Sequence, residues 1–447
     1  MTHRLFGTDG IRARFGDEPL REASVRRIGS ALARRLAAGA VEPRVLIAGD
    51  TRGSREALTA WLATGLARGG ARPVDLGVLP TPALARLVVA RGAAAGVAIS
   101  ASHNPAEDNG LKLIGPDGFK WSELAELDLE REIEATPAVE GTERRAPVEA
   151  GAAEEYLAAT LSRLGGGRPL DGQRVALDLA HGAAVPVARA LFERLGANVT
   201  TFADRPDGRN INADCGSTHP EALAVAMRDG GYDLGFSFDG DADRALLVDE
   251  RGEVRDGDAM LVLWAGDLAR RGRLSPSEIV ATSMSNLGLE RALAALSVGV
   301  VRCGVGDREV VATLRERGLR LGGEQSGHLV DLELSTTGDG LLTAAHLASV
   351  VAASGRSASE LLAGFRRFPQ LLRNVRVRTK PPLESLAEVT RVARDVERRL
   401  GDEGRLVLRY SGTEPLARIM LEGPDEPLID ALADDLERAL RAEIGSA

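Results

Sequence analysis

Short apolar strands alternate with helical segments three times along this chain, and this alternation constrains the fold more than any other feature. The first series runs from Val45–Ala48 through a helical stretch, Arg55–Arg68, to the strand Gly96–Ile99. Comparable series occupy residues 174–238 and 278–317, without strong sequence identity to the first. Strands joined through helices pair in parallel, because each connection crosses a face of the sheet. The alternation predicts an α/β protein with three similar domains.

The end of the chain follows a different pattern. A strand at Asn374–Arg378, a helix at Glu384–Leu400 and a strand at Arg405–Tyr410 predict a smaller C-terminal α+β domain. The polar, proline-bearing segment Glu134–Gly151 and the stretch Phe365–Leu371 are the predicted linkers. We therefore expect four domains, at residues 1–150, 151–250, 251–366 and 367–447.

The composition excludes several functions. A net charge of −9 disfavours a nucleic-acid partner. No apolar run is long enough to span a membrane, and residues 1–10 lack the apolar core of a secretion signal, so we expect no membrane partner. Cys215 and Cys303 are too few for a disulfide framework, which favours the cytoplasm. Aromatic residues make up 3% of the chain, so a bound sugar would be held by polar groups and its phosphate.

The loop Asp239-Gly-Asp241-Ala-Asp243-Arg244 is the sharpest chemical feature. It follows the apolar strand Leu234–Phe238, and its three carboxylates can converge on one hard cation. A solvated acidic turn is one alternative. A calcium-binding EF-hand loop is another, but it requires glycine where Arg244 stands. The pattern favours a divalent metal site.

Three further loops carry polar groups suited to a phosphorylated ligand, although each alone has an ordinary structural explanation. Ser100-Ala-Ser102-His103-Asn104-Pro105 follows a predicted strand, where ligands of parallel sheets usually bind. Gly322–His328 combines glycines with Glu324, Ser326 and His328, although His328 alone fits a core histidine equally well. The third loop combines two arginines with small hydroxyl residues suited to a phosphate, and its candidate residues are Arg409, Ser411, Gly412, Thr413 and Arg418.

Taken together, these motifs resemble the α-D-phosphohexomutase superfamily. The resemblance spans nearly the whole chain, and the motifs occur in the family's order. They are Phe6–Arg12, the serine loop, Asp239–Arg244, Glu324–His328 and Ser411–Pro415. The resemblance implies four domains around a central cleft, with three similar mixed-sheet α/β domains and a mobile last domain.

Within the superfamily, the chain is most similar to bacterial phosphoglucosamine mutases. Gln325 supports this branch, because the mannose/glucose branch usually has methionine there. Ala13 and His181 depart from the family pattern, where glycine and asparagine are usual. Ala13 follows Arg12 and bears on the loop that carries it. The segments typical of the glucosamine branch are Asn210–Asn212, Cys215–Pro220, Met284–Gly288 and Thr336–Gly340.

The resemblance implies a mechanism in which phosphorylated Ser102 gives its phosphoryl group to the sugar and recovers the other phosphate from a bisphosphate intermediate. Mg²⁺ would be held by a phosphate oxygen on Ser102 together with Asp239, Asp241 and Asp243. Arg12 and Arg244 would stabilise the transferring group, and His103 would orient the serine loop. The residues implied to bind substrate are Glu324, Ser326 and His328 for the sugar, and Arg409, Ser411, Gly412, Thr413 and Arg418 for the second phosphate.

Lys112 is the expected general acid/base. Lysine is rare here, since Lys112, Lys120 and Lys380 are the only ones, whereas arginine is abundant. A lysine kept so close to the serine loop suggests a group that must release its proton, which arginine cannot do and lysine does when its pKa is lowered. A salt bridge is the alternative. We expect Lys120 to lie at the surface by chance.

The expected substrate is a phosphorylated hexosamine: glucosamine 6-phosphate interconverted with glucosamine 1-phosphate, feeding UDP-N-acetylglucosamine and cell-wall synthesis. Phosphomannomutase or phosphoglucomutase activity is the alternative within the superfamily. A haloacid-dehalogenase-like phosphatase would instead use Asp239 as nucleophile, because Asp-x-Asp after a strand is typical of that class too. A catalytically dead phosphosugar-binding protein would have no reason to retain Ser102 and Lys112. A homodimer is the expected oligomeric state if the chain associates.

Overall fold

A mixed five-stranded sheet organises the first domain in the computed structural model, which describes residues 5–7, 9–37, 42–411 and 414–445. Its elements are β1 (Ile11–Arg14), α1 (Glu22–Ala37), β2 (Arg44–Gly49), α2 (Arg55–Arg68), β3 (Arg72–Val78), α3 (Thr81–Ala90), β4 (Ala95–Ile99), β5 (Asp108–Ile114) and α4 (Glu123–Ala135). The strand order is β1-β5-β4-β2-β3, with β2, β3 and β4 parallel and β5 and β1 antiparallel to their neighbours. The parallel strands β2 and β4 are apolar and buried because helices cover a parallel sheet on both faces.

The second domain repeats this arrangement. Its elements are α5 (Ala152–Arg163), β6 (Arg174–Asp178), α6 (Ala188–Arg194), β7 (Asn198–Phe202), α7 (Glu221–Gly230), β8 (Leu234–Phe238), β9 (Ala245–Val248) and β10 (Val254–Arg255). The strand order is β10-β9-β8-β6-β7, with three parallel strands followed by antiparallel β9 and β10.

The third domain has the same core with one strand fewer. Its elements are α8 (Gly257–Arg270), β11 (Glu278–Thr282), α9 (Leu287–Ala294), β12 (Gly299–Cys303), α10 (Asp307–Arg317), β13 (Leu321–Gly323), β14 (Leu329–Asp331), α11 (Gly340–Ser354) and α12 (Ala358–Leu361). The strand order is β12-β11-β13-β14, again with one antiparallel strand at the end.

Three of the predicted functional loops occupy the same place in these three sheets. In each sheet, the third parallel strand in chain order turns back directly into an antiparallel strand. The serine loop joins β4 to β5, the acidic loop joins β8 to β9, and residues 324–328 join β13 to β14. The prediction of three similar mixed-sheet α/β domains is confirmed, and the repeated turn explains why each domain supplies one loop.

The C-terminal domain is an α+β layer, as predicted. Its elements are β15 (Gln370–Arg376), α13 (Ala387–Leu400), β16 (Arg405–Tyr410), β17 (Leu416–Glu422) and α14 (Glu426–Ile444), with short 3₁₀ turns at Leu383–Ser385 and Gly401–Glu403. The sheet is antiparallel, in the order β15-β17-β16. Val389, Val392 and Val396 recur at helical spacing on α13 and are buried in the core of this domain.

By its internal contacts, the chain separates into two units. One comprises the chain up to Met284 with Val298–Ala363, and the other comprises Ser285–Ser297 with the chain from Gly364 onward. In the second unit, the Asn286 amide donates to the Phe368 carbonyl at 3.0 Å and to Glu422 at 3.1 Å. The predicted boundaries assign Ser285–Ser297 to the third domain and stay a prediction. Among the described residues, no helix is long and apolar enough to cross a membrane.

Candidate active site

Ser102 lies in the β4–β5 turn with its hydroxyl against the acidic loop. The residue is 1% exposed, and its backbone has a left-handed φ of +53°. Its Oγ donates to Asp239 Oδ2 at 2.5 Å, and His103 Nδ1 lies 3.4 Å from the same oxygen. The structure therefore brings together the serine loop and the acidic loop, which the sequence predicts as two separate functional motifs.

The three aspartates of the acidic loop converge in a buried group. Their candidate ligand atoms lie within 4.8 Å of one another, and the residues are 1–3% exposed. Burial and the neighbouring Asp243 and Asp241 raise the pKa of Asp239 well above its ordinary value. Within the described part of the chain, Asp241 Oδ1 and Asp243 Oδ1 are buried and accept no hydrogen bond. Buried carboxylate oxygens without donors fit a hard divalent cation, which would also relieve their mutual repulsion.

Gly240 allows the acidic loop to approach the serine loop closely. A Cβ atom at this position would lie 2.5 Å from the Ser102 carbonyl oxygen. Any side chain would push the two loops apart. The glycine between the first two aspartates therefore sets the distance between serine and carboxylates.

Lys112 lies on β5 and points into the same carboxylates. Its side chain is 1% exposed, and Nζ lies 2.8 Å from Asp241 Oδ2, 3.0 Å from Asp9 Oδ2 and 3.6 Å from Asp243 Oδ2. Burial alone would lower the pKa of Lys112, but Asp241, Asp9 and Asp243 outweigh it and raise the pKa well above the ordinary value. This arrangement of carboxylates therefore raises the pKa of Lys112, contrary to the lowered pKa expected from the sequence.

Lys120 is not the surface residue that the sequence suggests. Its side chain is 9% exposed, and Nζ lies 2.6 Å from Asp9 Oδ1 and 2.5 Å from Asp307 Oδ2. Asp9 therefore bridges the two lysines Lys112 and Lys120. Asp307 begins α10 of the third domain, so this ladder of alternating charges joins the first and third domains at the site. The sequence patterns do not identify Asp9, Lys120 or Asp307 as site residues. The rarity of lysine in this chain is the one signal that could have pointed to Lys120.

A cavity of about 260 Å³ opens beside these groups. Arg12 pairs with Asp9 at its edge, and the Arg244 backbone N–H donates to Asp239 Oδ1 at 3.2 Å. Glu324 Oε1 accepts from the Gly306 N–H at 3.1 Å. Six residues of the predicted site line the cavity: Arg12, His103, Asp243, Arg244, Glu324 and His328. The remaining lining residues are Asp9, Lys120, Glu123, Val305, Gly306, Asp307, Arg308 and Glu309.

The other two residues predicted to bind the sugar differ in position. Ser326 is exposed at the turn of its loop. His328 is buried, and its Nε2 accepts the Gly338 N–H at 3.1 Å, which leaves the ring proton on Nδ1. Nδ1 lies 3.7 Å from Asp243 Oδ1. His328 therefore supports the acidic loop as well as lining the cavity.

In the C-terminal unit, two predicted phosphate ligands lie side by side. Arg409 on β16 and Arg418 on β17 are directly opposed cross-strand partners. Opposed like charges destabilise a sheet, and Arg418 Nη2 donates to Glu414 Oε2 at 3.0 Å, which offsets part of this repulsion. Ser411 is buried, and its carbonyl accepts from Lys380 Nζ at 2.6 Å. The predicted ligands Gly412 and Thr413 lie outside the described residues.

The two departures from the family pattern have different surroundings. His181 has a left-handed φ of +51°, a conformation that asparagine and histidine both adopt more readily than most residues. Its Nδ1 accepts the Arg205 N–H at 3.2 Å. Ala13 lies on β1 opposite Asn109. Histidine therefore preserves the backbone conformation that asparagine would adopt at position 181.

Family profiles match nearly the whole chain. The phosphoglucomutase/phosphomannomutase α/β/α domains I, II and III match residues 3–140, 154–252 and 256–368. The C-terminal domain of the same family matches residues 372–439. The chain belongs to this family. The resemblance to the α-D-phosphohexomutase superfamily is therefore confirmed.

Individual relatives of this phosphohexomutase agree with the family match. A phosphoglucosamine mutase of Cereibacter sphaeroides is 45% identical over 99% of each chain. A phosphoglucosamine mutase of Gluconacetobacter diazotrophicus is 44% identical over 98% of each chain. A phosphoglucomutase/phosphomannomutase family protein of Burkholderia thailandensis has a similar fold, with a TM-score of 0.81 at 24% identity over 99% of this chain and 98% of that one.

Proposed function

We propose that this chain is a phosphoglucosamine mutase that interconverts glucosamine 6-phosphate and glucosamine 1-phosphate through a phosphoserine at position 102. The observation that carries the proposal is the hydrogen bond from the Ser102 hydroxyl to Asp239, one of three buried, converging aspartates. Asp243 of this group lines a cavity that is also lined by arginines. The full-length relatives named above support the choice of amino sugar. In the cytoplasm, the product would enter synthesis of UDP-N-acetylglucosamine and the cell wall.

The metal in this proposal is Mg²⁺, held by Asp239, Asp241, Asp243 and a phosphate oxygen on Ser102. All of these ligands are oxygens, which Mg²⁺ prefers. When bound, the ion would neutralise charge on the phosphoryl group during transfer.

The chain's own residues have distinct roles around the transferring group. Ser102 carries the phosphoryl group on Oγ and accepts it back from the bisphosphate. Arg12 and Arg244, both at the cavity, stabilise its negative charge. Lys112 exchanges a proton with the sugar hydroxyl, and Asp9 keeps its Nζ close to the acidic loop. Glu324 and Ser326 bind sugar hydroxyls, while Arg409 and Arg418 bind the second phosphate.

The phosphatase alternative makes Asp239 the phosphorylated residue. Both oxygens of Asp239 already accept hydrogen bonds, Oδ2 from the Ser102 hydroxyl at 2.5 Å and Oδ1 from the Arg244 N–H at 3.2 Å. Ser102 Oγ, which faces this carboxylate as a donor, is therefore better placed than Asp239 to act as the nucleophile. Peptide mapping of protein incubated with hexose bisphosphate tests the choice, because phosphate on the Asp239 peptide would contradict the proposed mechanism.

Glucosamine 6-phosphate should be a much better substrate than mannose 6-phosphate. A site that hydrogen-bonds the group at carbon 2 rejects a sugar that cannot make that contact, and we expect kcat/KM to differ by at least about 100-fold. Turnover of glucosamine, glucose and mannose 6-phosphates under identical conditions measures this. Equal values for glucosamine and mannose would favour the phosphomannomutase alternative instead.

Asp241→Asn should weaken Mg²⁺ activation by at least about tenfold, since altering even an indirect metal contact has an effect of this size. The midpoint of a magnesium titration of activity, together with direct calorimetric binding, measures the change. Asp249→Asn is a matched control, because Asp249 is a buried aspartate directly after β9 and outside the acidic loop. A wild-type midpoint for Asp241→Asn would argue against three converging ligands.

A further inference from the structure

The serine loop holds its nucleophile in a backbone conformation that residues other than glycine rarely adopt. Ser102 has a φ of +53°, and its carbonyl accepts a buried hydrogen bond from Arg52. Left-handed residues outside glycine persist only where surrounding contacts fix them. The groups that fix Ser102 are therefore part of what aims its Oγ.

Arg52 binds the Ser102 carbonyl and three further carbonyls of the same loop. Its Nη2 donates to the carbonyls of Ser102 at 3.0 Å and Asn104 at 2.7 Å. Its Nη1 donates to the carbonyl of Asp108 at 2.9 Å and also to that of Pro105. One guanidinium thus binds four carbonyls along the loop, from the nucleophile to the first residue of β5.

The Arg52 side chain is itself fixed from behind. It is 0% exposed, and its Nε donates to Asp50 Oδ2 at 3.0 Å. The same Asp50 oxygen accepts from Ser100 Oγ at 2.5 Å, and Ser100 Oγ in turn accepts the Ser102 N–H at 2.9 Å. Arg52 and Asp50 therefore hold both the N–H and the carbonyl of Ser102.

Asn212 of the second domain completes the arrangement from the opposite side. Its Nδ2 donates to the same two carbonyls, Ser102 at 2.9 Å and Asn104 at 3.0 Å. Each carbonyl thus accepts one bond from each domain. The serine loop is therefore hydrogen-bonded both by its own first domain and by the second domain, which carries the acidic loop.

We propose that Arg52 is a positioning residue for phosphoryl transfer, acting by holding the Ser102 backbone so that Oγ faces the acidic loop. The inference rests on the proposed role of Ser102 as nucleophile. Lysine cannot replace Arg52, because an ammonium has three donors on one atom and cannot span four carbonyls and a carboxylate as the planar guanidinium does. The role therefore depends on shape as well as charge.

The test compares Arg52→Lys with Arg55→Lys. Arg55 is a matched control, because it is also buried in the first domain and paired with an aspartate, Asp75, but makes no bond to the serine loop among those described. Each protein is phosphorylated on Ser102 with hexose bisphosphate, checked by intact mass, and mixed with glucosamine 6-phosphate in a rapid-quench instrument. We expect Arg52→Lys to transfer about 100-fold more slowly than the control with KM little changed, since misplacing reacting atoms by about 1 Å has an effect of this size.

Chemical rescue separates positioning from a general loss of structure. Arg52→Ala leaves a space lined by the same acceptors, so added guanidinium at non-denaturing concentration should restore part of the transfer rate. It should not accelerate Arg55→Ala. Transfer by Arg52→Lys at the rate of Arg55→Lys would overturn the inference, as would a folded Arg52→Ala that guanidinium leaves unchanged. Absence of phosphate on Ser102 in the wild-type protein would instead contradict the proposed function.

Discussion

Replacing Ser102 with alanine is expected to abolish mutase turnover while the protein stays folded. Loss of a nucleophile costs on the order of 10⁵ to 10⁶ in kcat where no other group takes over. The substitution removes one hydroxyl that donates to Asp239. Alanine, like serine, is a residue other than glycine, so the left-handed backbone at position 102 is under similar strain in both proteins. Its effect on the free energy of unfolding should be about 1 kcal/mol.

Three measurements check this expectation. Turnover of glucosamine 6-phosphate gives the loss of activity, intact mass gives the loss of phosphorylation, and thermal unfolding followed by circular dichroism reports the fold. Ser359→Ala is a matched control, because Ser359 is a buried serine that also donates to a carboxylate, Glu250, away from the candidate active site. It should keep its turnover. Normal turnover by Ser102→Ala with an intact fold would refute the phosphoserine mechanism.

Lys112→Arg is expected to fold and bind substrate but to lose about 100-fold or more in kcat, the typical contribution of a positioned proton-transfer group. Nζ of Lys112 is enclosed by Asp241, Asp9 and Asp243, and a guanidinium at this place would be larger and unable to release its proton. The three carboxylates raise the pKa of Lys112, so proton release requires some of their charge to be compensated during turnover.

Steady-state kcat and KM measure the effect. Lys120→Arg is the control, because it also places a guanidinium between two largely buried carboxylates. Lys120 contacts Asp9 and Asp307 but none of the three acidic-loop aspartates, so its replacement should cost less. Near wild-type kcat for Lys112→Arg would show that Lys112 acts only as a charge. Proton transfer would then require another group, with His328 as the first candidate because it lines the cavity and can titrate.

Much of the fold follows from local patterns. Helix α2 has the predicted bounds Arg55–Arg68, and β4 starts one residue before its prediction, because apolar runs and helix-forming stretches are short-range signals. The antiparallel strand β5 has no local signal in the sequence. Lys112 interrupts its apolar pattern, and Asn109-Gly110 has the composition of a turn. Gly110 instead allows close packing, since a Cβ there would lie 2.6 Å from the Ile11 carbonyl oxygen.

Some residues of the candidate site can be predicted from local sequence and others cannot. Three aspartates at alternate positions after a buried strand predict a metal site from six residues of sequence. Lys120 and Arg52 give no such local signal, because what makes them important is the set of acceptors that distant segments bring to them. The segment Phe119-Lys120-Trp121 has the composition of an ordinary surface segment, and only the structure shows that Asp9 and Asp307 contact its lysine. Such residues become visible only when tertiary contacts are known.

The discontinuous C-terminal unit limits how this protein can be cut into fragments. A fragment starting at Gly364 would lack α9 and the Asn286 amide that donates to Phe368 and Glu422. It would also lack the Ser285 carbonyl, which accepts from Arg405 at 2.9 Å. An isolated C-terminal domain for crystallisation or phosphate-binding studies should therefore carry Ser285–Ser297 as a grafted segment, because no single break in the chain releases this unit intact.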